Sequence, residues 1–357
     1  MRAILMLEDG RSFLGQTDGA ISARTGSVFF DTRVVGYQEA ITDPANAGRV
    51  LVFTYPLIGN YGVAEKFNET PNAWPAAIII KEKSGTFSNW QAEEGLDKWA
   101  RRLKLPIVYG IDTRTLAVYL RNKGEMPGIV SSAIFTPRQL LKRIKESSNN
   151  PSCHNWFKKT SVKQITHLGK RDSGGVVVLD LGITQSIIRA LEGLKLSIHL
   201  VPFNTEAEDI LKLKPKALII SNGPEENAGL AAVASTVKRL LGEVPILGIS
   251  TGAQVLALSL GAKIKRMRLG HHGLNYPIKP NDSLKGNITA QNHSYVTDAN
   301  SLSKLKDIKI TAYNLNDNSV EEYESRRLKA LGVQYYPLSP GFGETHPVFK
   351  RFVKSWL

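Results

Sequence analysis

The stretch Val244-Pro-Ile-Leu-Gly-Ile-Ser250-Thr-Gly-Ala-Gln254-Val-Leu-Ala-Leu258 decides the fold of this chain. An apolar strand over residues 245–249 runs into Gly-x-Ser-x-Gly at positions 248–252, and an apolar helix follows at once. This order is typical of a nucleophile elbow, in which small residues let the chain turn sharply and expose the central side chain. The helix N-terminus directs its partial positive charge toward that side chain. The pattern predicts an α/β domain with Ser250 at its elbow, and a plain strand-to-helix turn is the alternative.

The residues before the elbow alternate between short apolar runs and longer amphipathic ones. Strands separated by helices of about 10 to 15 residues indicate βαβ units and a parallel sheet. The predicted strands are 176–179, 196–201, 217–220 and 245–249, and the predicted helices are 187–194, 207–213 and 230–241.

The first 130 or so residues have a different pattern, in which short β-branched or aromatic runs end at turn residues. Such runs predict a β-rich domain. Its predicted strands are 3–7, 27–32, 50–54 and 76–80. Two stretches, 96–105 and 113–122, carry apolar residues at helical spacing, and Thr113 is the predicted cap of the second helix.

A basic segment separates these two regions. From Arg138 to Arg171, nine Lys and Arg residues stand against one acid, Glu146, so the segment supplies +8 of the net charge of +14. We interpret it as one or two amphipathic helices with a linker that presents a solvated face. A nucleic-acid patch is the less favoured interpretation, because Trp156 and Phe157 lack the repeated aromatic interleaving that base stacking needs.

The composition narrows the class of protein further. The chain has 357 residues, enough for two domains, and ordinary apolar (42%) and charged (22%) fractions, which exclude a disordered chain. Its single cysteine, Cys153, excludes an internal disulfide and a CxxC-based zinc or redox site. With no apolar run approaching a membrane span and no signal-peptide pattern, we expect a cytoplasmic protein without a membrane partner.

Short motifs throughout the chain carry a family resemblance. Those in the first half are Gly36-Tyr-Gln-Glu39, Thr42-Asp-Pro44, Ile58-Gly-Asn60 and Ile111-Asp-Thr-Arg114, and those in the second half include Ser221-Asn-Gly-Pro224 and Gln291-Asn-His293. With these motifs the chain resembles the small, glutamine-hydrolysing subunit of carbamoyl-phosphate synthetase over nearly its whole length. The resemblance implies an α/β protein with a β-rich N-terminal small-subunit domain (1–135), a basic helical connector (136–172) and a doubly wound class I glutamine amidotransferase-like domain (173–357).

At the positions that carry the family's catalytic triad, this chain departs from the family. In that family a cysteine at the elbow attacks glutamine, a histidine acts as its base and a glutamate orients the histidine. Here the elbow residue is Ser250, and the family's His-Pro-Glu reads Tyr336-Pro337-Leu338. A serine hydroxyl needs a base within hydrogen-bond reach, a protonated phenol cannot replace histidine, and leucine orients nothing. We therefore expect glutamine hydrolysis by the family's route to be absent.

The family's glutamine-contacting positions are only partly kept. Gly223, Gln254, Asn292 and, conservatively, Tyr295 are retained. The positions that depart are Ala45 for a serine, Glu225 and Ser294 for glycines, and Thr251 for a leucine. A carboxylate at Glu225 is expected to oppose a developing oxyanion. Weak binding of glutamine or another small ligand, and a purely structural role for Gln254 and Asn292, both stay open.

The resemblance extends to ammonia-dependent carbamoyl-phosphate synthetases, which also carry Gly-Ile-Ser-Thr-Gly at the elbow. It implies a noncatalytic small chain, a pseudoenzyme, that supports an ammonia-using large subunit making carbamoyl phosphate for arginine or pyrimidine synthesis. ATP and Mg²⁺ are then expected in the large subunit; no cofactor or metal is expected in this chain.

Two other functions remain as alternatives. One is a serine hydrolase in which Ser250 is served by His293 or His346 with Asp298 or Asp317. The other is a stand-alone binding or scaffold protein.

Overall fold

The computed structural model describes residues 1–148, 155–169, 175–338 and 344–357. The chain divides into two compact units. The first is Met1–Cys153 with Arg268–His272, and the second is His154–Met267 with Gly273–Leu357.

The first unit is built on a mixed sheet that, within the described residues, has seven strands in the order β2-β1-β9-β3-β4-β6-β8, beside a small pair of β5 and β7. Its helices and strands are β1 (Arg2–Leu7), β2 (Ser12–Gln16), β3 (Arg24–Asp31), α1 (Tyr37–Thr42), β4 (Val50–Phe53), β5 (Leu57–Ile58), β6 (Ala77–Ile79), β7 (Glu82–Lys83), α2 (Leu96–Arg102), β8 (Ile107–Val108), α3 (Thr113–Lys123), β9 (Met126–Ser131) and α4 (Pro137–Ser148).

Strand β4 shows why this sheet is covered on both faces. All four of its residues are buried, and because side chains alternate along a strand, Val50 and Val52 join one apolar cluster and Leu51 and Phe53 the other. Helix α3 packs on the first cluster, and helices α1 and α2 pack on the second. A near-continuous apolar run is what a strand buried on both sides requires.

Helix α3 begins one residue away from the predicted position of its cap. Asp112, not Thr113, is the N-cap, and its carboxylate accepts a hydrogen bond from the N–H of Thr115 at 3.0 Å. An aspartate at this position satisfies a free N–H and also favours the positive end of the helix dipole.

The basic segment does form an amphipathic helix in its first part. In α4, Leu140 and Ile144 are buried in a cluster with Met6 and Ile129 of the sheet. The basic residues of this helix, Arg138, Lys142, Arg143 and Lys145, are all exposed. The solvated face expected from the sequence is present in α4, whereas residues 149–154 and 170–171 of the segment, including Cys153, lie outside the described residues.

The second unit contains the elbow. Its helices and strands are α5 (Phe157–Thr160), β10 (Thr166–Leu168), β11 (Val176–Asp180), α6 (Gln185–Glu192), β12 (Ile198–Pro202), α7 (Ala207–Lys212), β13 (Ala217–Ile220), α8 (Leu230–Lys238), β14 (Ile246–Ile249), α9 (Thr251–Ser259), β15 (Ile264–Pro280), β16 (Asn287–Thr297), α10 (Ala299–Leu302), β17 (Lys309–Asn314), β18 (Val320–Ser325), β19 (Ala330–Val333) and α11 (Pro347–Trp356). Within the part of this unit that the structure describes, the strands of the sheet have the order β10-β12-β11-β13-β14-β19-β18-β17-β15-β16.

The centre of this sheet is doubly wound, as predicted. Strands β12, β11, β13, β14 and β19 run parallel. Alternate residues of β11 face opposite sides, so that Val177 lies with α7, α8 and α9 in one cluster while Val178 lies with α6 and α11 in the other. The predicted α/β fold, with a β-rich first domain and a doubly wound second domain, is confirmed.

The sheet also continues past β19, which the sequence pattern does not indicate. Strands β18 and β17 extend it antiparallel, and the long strands β15 and β16 complete that edge. Strand β15 alternates poorly between exposed and buried residues, and five of its residues, Arg268–His272, are grouped with the first unit. A strand with neither an alternating pattern nor a continuous apolar run gives no usable signal in the sequence.

The predicted boundaries at residues 135 and 172 stay predictions. Helix α4 is grouped with the first unit and α5 with the second. None of the described helices is both long and apolar enough to cross a membrane.

Candidate functional site

The elbow has the backbone conformation that its sequence pattern predicts. Ser250 stands between β14 and α9 with φ 53° and ψ −112°, a region that non-glycine residues rarely occupy. Its N–H donates to Val333 O at 2.8 Å, and its carbonyl accepts from the N–H groups of Ala253 and Gln254 in the first turn of α9. Backbone strain of this kind costs on the order of 1–3 kcal/mol and is concentrated at functional sites.

The two glycines of the motif are required by close backbone packing. A Cβ on Gly252 would lie 2.0 Å from the carbonyl oxygen of Ile220, in the neighbouring strand β13. A Cβ on Gly248 would lie 2.5 Å from the carbonyl oxygen of Gly252 itself. The strand and the helix can approach this closely only where both positions lack a side chain.

The hydroxyl of Ser250 has no catalytic partner in the part of the chain that the structure describes. The residue is 1% exposed, and its Oγ makes no hydrogen bond with any described residue. A serine nucleophile needs a base at about 2.6–3.2 Å, and none of the described residues occupies that position.

The positions of the family's base and its orienting residue lie at the same sheet edge as the elbow. Strands β14 and β19 run parallel with Ile249 opposite Val333, so Ser250 follows one strand and Tyr336 the other. Tyr336 is 8% exposed, and its N–H donates to Ala290 O at 2.9 Å. Leu338 is half-buried and brings only hydrocarbon to this edge.

Neither histidine of the hydrolase alternative forms a hydrogen bond with the Ser250 hydroxyl. The buried ring of His293 has Nδ1 3.0 Å from Tyr295 O and Nε2 3.0 Å from Gln291 Oε1. His346 caps α11, where its Nδ1 accepts from the N–H of Val348. Burial lowers the pKa of His346, which favours the neutral ring that this cap needs.

The two aspartates of that alternative are also engaged in local turns. Asp298 caps α10 by accepting from the N–H of Ser301 at 2.9 Å, and Asp317 accepts from the N–H of Ser319 at 2.9 Å. No described His–Asp pair therefore converges on the elbow serine.

A buried carboxylate, that of Glu225, lies beside the elbow helix. Glu225 Oε1 accepts from Gln254 Nε2 at 2.5 Å and from the Tyr295 N–H at 3.3 Å, while Oε2 accepts from the Ser294 N–H at 2.5 Å. Glu225 is 7% exposed. Three of the predicted ligand positions, Gln254, Ser294 and Tyr295, are thus brought together around a fourth.

Other predicted positions are joined around the start of α9. Thr251 Oγ1 donates to Gly223 O at 2.6 Å and so ties the elbow to the segment after β13. Gly223 is needed there because a Cβ would lie 2.5 Å from Leu181 O. Asn292 is buried in β16 at 3% exposure. The Gln254 side-chain amide also donates to Tyr295 O at 3.0 Å and so joins helix α9 to strand β16.

Ala45 belongs to the first unit. It lies in the 3₁₀ turn Pro44–Asn46 and is 5% exposed. Its N–H donates to Asp43 Oδ1 at 2.9 Å, and its side chain is a single methyl group that offers a ligand no hydrogen bond.

Each half of the chain matches a known protein family. Residues 5–130 match the carbamoyl-phosphate synthase small chain, CPSase domain, and residues 177–355 match glutamine amidotransferase class-I. The carbamoyl phosphate synthase small chain of Aquifex aeolicus (strain VF5) is 35% identical over 99% of this chain and 98% of its own length. The pyrimidine-specific small chain of Bacillus subtilis (strain 168) is 34% identical over 99% of this chain and 96% of its own.

Among solved structures, a glutamine amidotransferase from Thermotoga maritima covers 52% of this chain and 81% of its own. It has a TM-score of 0.37 and 15% identity.

Proposed function

The chain belongs to the carbamoyl-phosphate synthase small-chain family, and from this premise we propose that it is a small chain that does not hydrolyse glutamine. It serves instead as the noncatalytic partner of a large subunit that takes free ammonia. The product of that pairing is carbamoyl phosphate for arginine or pyrimidine synthesis, in the cytoplasm.

The observation that supports this proposal most strongly is the isolation of the Ser250 hydroxyl. The elbow presents it in the strained conformation of a nucleophile, yet Oγ is buried and has no hydrogen-bond partner among the described residues. A hydroxyl that cannot pass its proton to a base does not attack an amide at a useful rate.

The residues at the two other triad positions support the same conclusion. Tyr336 carries a phenol, which is a poor general base in comparison with an imidazole, and Leu338 has no polar atom with which to orient a base. Triad members act as a unit, and loss of the nucleophile or the base removes on the order of 10⁶ in rate. With all three positions changed, the chain has none of the side chains that carry out glutamine hydrolysis in the family.

The intact framework is the reason for proposing a partner rather than a vestigial protein. The relatives align over 99% of this chain, and both sheets keep buried cores on both faces. If glutamine hydrolysis were the only function of the chain, nothing would maintain the folded core of the first unit after the triad was lost. The intact core of that unit therefore supports a second role. ATP and Mg²⁺ belong to the large subunit in this proposal, and this chain contributes binding surface.

Copurification with the large subunit tests the partnership. The tagged chain, coexpressed with the large subunit from the same source, is expected to elute with it in equimolar amount. The pair is expected to form carbamoyl phosphate from ammonium, bicarbonate and ATP. Separate elution of the two chains, or salt-sensitive retention of nucleic acid in place of the large subunit, would instead favour the stand-alone binding protein.

A further inference from the structure

The groups around Glu225 form a carboxylate site that is already filled. Two backbone N–H groups, those of Ser294 and Tyr295, and the side-chain amide of Gln254 all donate to the two oxygens of one carboxylate. Donors that reach both oxygens from different directions are the arrangement by which proteins bind a free carboxylate group.

The donors and the acceptor come from different kinds of structure. Gln254 lies in helix α9, and Ser294 and Tyr295 lie in strand β16, so the three donors are fixed by regular elements. The β16 donors are further held because His293 Nδ1 contacts Tyr295 O, to which Gln254 Nε2 also donates. Glu225, in contrast, reaches them from the loop that joins β13 to α8.

The position of this cradle relates it to the elbow. Gln254 lies one helical turn after Ser250 on α9, and the loop that carries Glu225 also carries Gly223, whose carbonyl accepts from Thr251. A molecule whose carboxylate took the place of Glu225 would therefore lie next to the nucleophile position.

We propose that Glu225 is a built-in occupant of a carboxylate subsite, so that the chain itself closes this pocket to small carboxylate ligands, including amino acids. The inference concerns the same pocket as the proposed function but depends on binding alone. It is tested on the isolated full chain without a catalytic readout, so its failure and that of the proposed function can be distinguished.

The test removes the Glu225 carboxylate by mutation and supplies a free carboxylate in its place. In Glu225→Ala, formate or acetate at tens of millimolar is expected to raise the thermal midpoint by several degrees relative to chloride at equal ionic strength. The amide ¹H–¹⁵N resonances of Ser294 and Tyr295 are expected to move in the same titration. The wild-type chain is expected to show neither response, because its own carboxylate holds the donors.

The matched control is Glu226→Ala, which removes the adjacent carboxylate. Glu226 lies 3.7 Å from Arg266 in a partly exposed pair and does not bind the cradle, so this variant is expected to behave like wild type. An equal response of wild type and Glu225→Ala to formate, or no response in either, would overturn the proposal. So would saturable binding of glutamine to the wild-type chain that moves the Ser294 and Tyr295 resonances.

A second variant covers the case in which Glu225→Ala does not fold. Glu225→Gln keeps the shape of the side chain but offers one acceptor oxygen in place of two. The amide proton resonance of Ser294 or Tyr295 is expected to shift upfield as its hydrogen bond weakens. Unchanged resonances at both positions would show that the carboxylate is not what these groups bind.

Discussion

A variant that combines Ser250→Cys, Tyr336→His and Leu338→Glu is expected to leave glutamine hydrolysis at the background rate, although it restores all three residue types of the family's triad. Adding Glu225→Gly to these three changes is expected to raise the rate by on the order of 10³. The measurement is glutamate release from glutamine by the purified chain and by its complex with the large subunit.

The physical reason lies in two separate obstacles. The first is chemical, because a thiolate with a positioned base is a far better nucleophile than an unassisted hydroxyl. The second is occupancy, because the Glu225 side chain already accepts the hydrogen bonds that Gln254, Ser294 and Tyr295 donate beside the elbow. A grafted triad lacks the surroundings that evolved with it, so we expect recovery of only part of the factor of about 10⁶ that a complete triad supplies.

The control for this series keeps the serine. Tyr336→His, Leu338→Glu and Glu225→Gly together, with Ser250 unchanged, open the pocket without a thiol and are expected to stay at background. Rapid hydrolysis by Ser250→Cys alone would contradict the account of the base. Rapid hydrolysis by the triple variant that retains Glu225 would contradict the account of the occupied subsite.

The substitution with the largest expected effect on stability is Gly252→Ala. The added Cβ would lie 2.0 Å from Ile220 O and 2.6 Å from the carbon of the same carbonyl. Both are backbone atoms in the centre of the sheet, so neither a rotamer change nor a small side-chain shift relieves the contact. Overpacking commonly costs about 1–3 kcal/mol, and we expect this rigid contact to cost about 3 kcal/mol, at the upper end of that range.

Urea denaturation of the wild-type and variant chains measures this effect. Gly85→Ala is the control, since a Cβ there meets no atom within 4 Å, and a surface substitution of this kind changes stability by less than about 0.5 kcal/mol. A Gly252→Ala chain with the same denaturation midpoint as wild type would show that helix α9 does not pack against β13 as described.

The fold could be predicted to the extent that its pattern is local. The strand–elbow–helix order at 245–258 and the continuous apolar runs of β11 and β13 are signals within short stretches of sequence, so they need no distant contact. The cap of α3 is displaced by one residue from its predicted position because Asp112 and Thr113 are both good caps, and only the backbone geometry selects between them. Strand β15 was not predicted because its residues change from mostly exposed to buried and back along its length, so that no single period describes it.

The functional site could likewise be predicted only in part. The sequence shows the loss of the triad at Ser250, Tyr336 and Leu338 directly, because residue type alone tells that the thiol, the imidazole and the carboxylate are absent. The environment of Glu225 could not be predicted from the sequence, because two of its hydrogen-bond partners are backbone N–H groups about 70 residues further along the chain. Every residue except proline has such a group, so residue type says nothing about which ones a fold will turn toward a carboxylate.

The most direct test of the central claim traces the nitrogen of carbamoyl phosphate. The copurified complex is given bicarbonate, ATP and either ¹⁵N-ammonium or glutamine labelled with ¹⁵N in its amide, the latter with unlabelled ammonium present to dilute any ammonia released into solution. Full ¹⁵N labelling of carbamoyl phosphate is expected from ammonium, and none above background from glutamine. Carbamoyl phosphate that carries the glutamine amide nitrogen in spite of the unlabelled ammonium would contradict the proposed function.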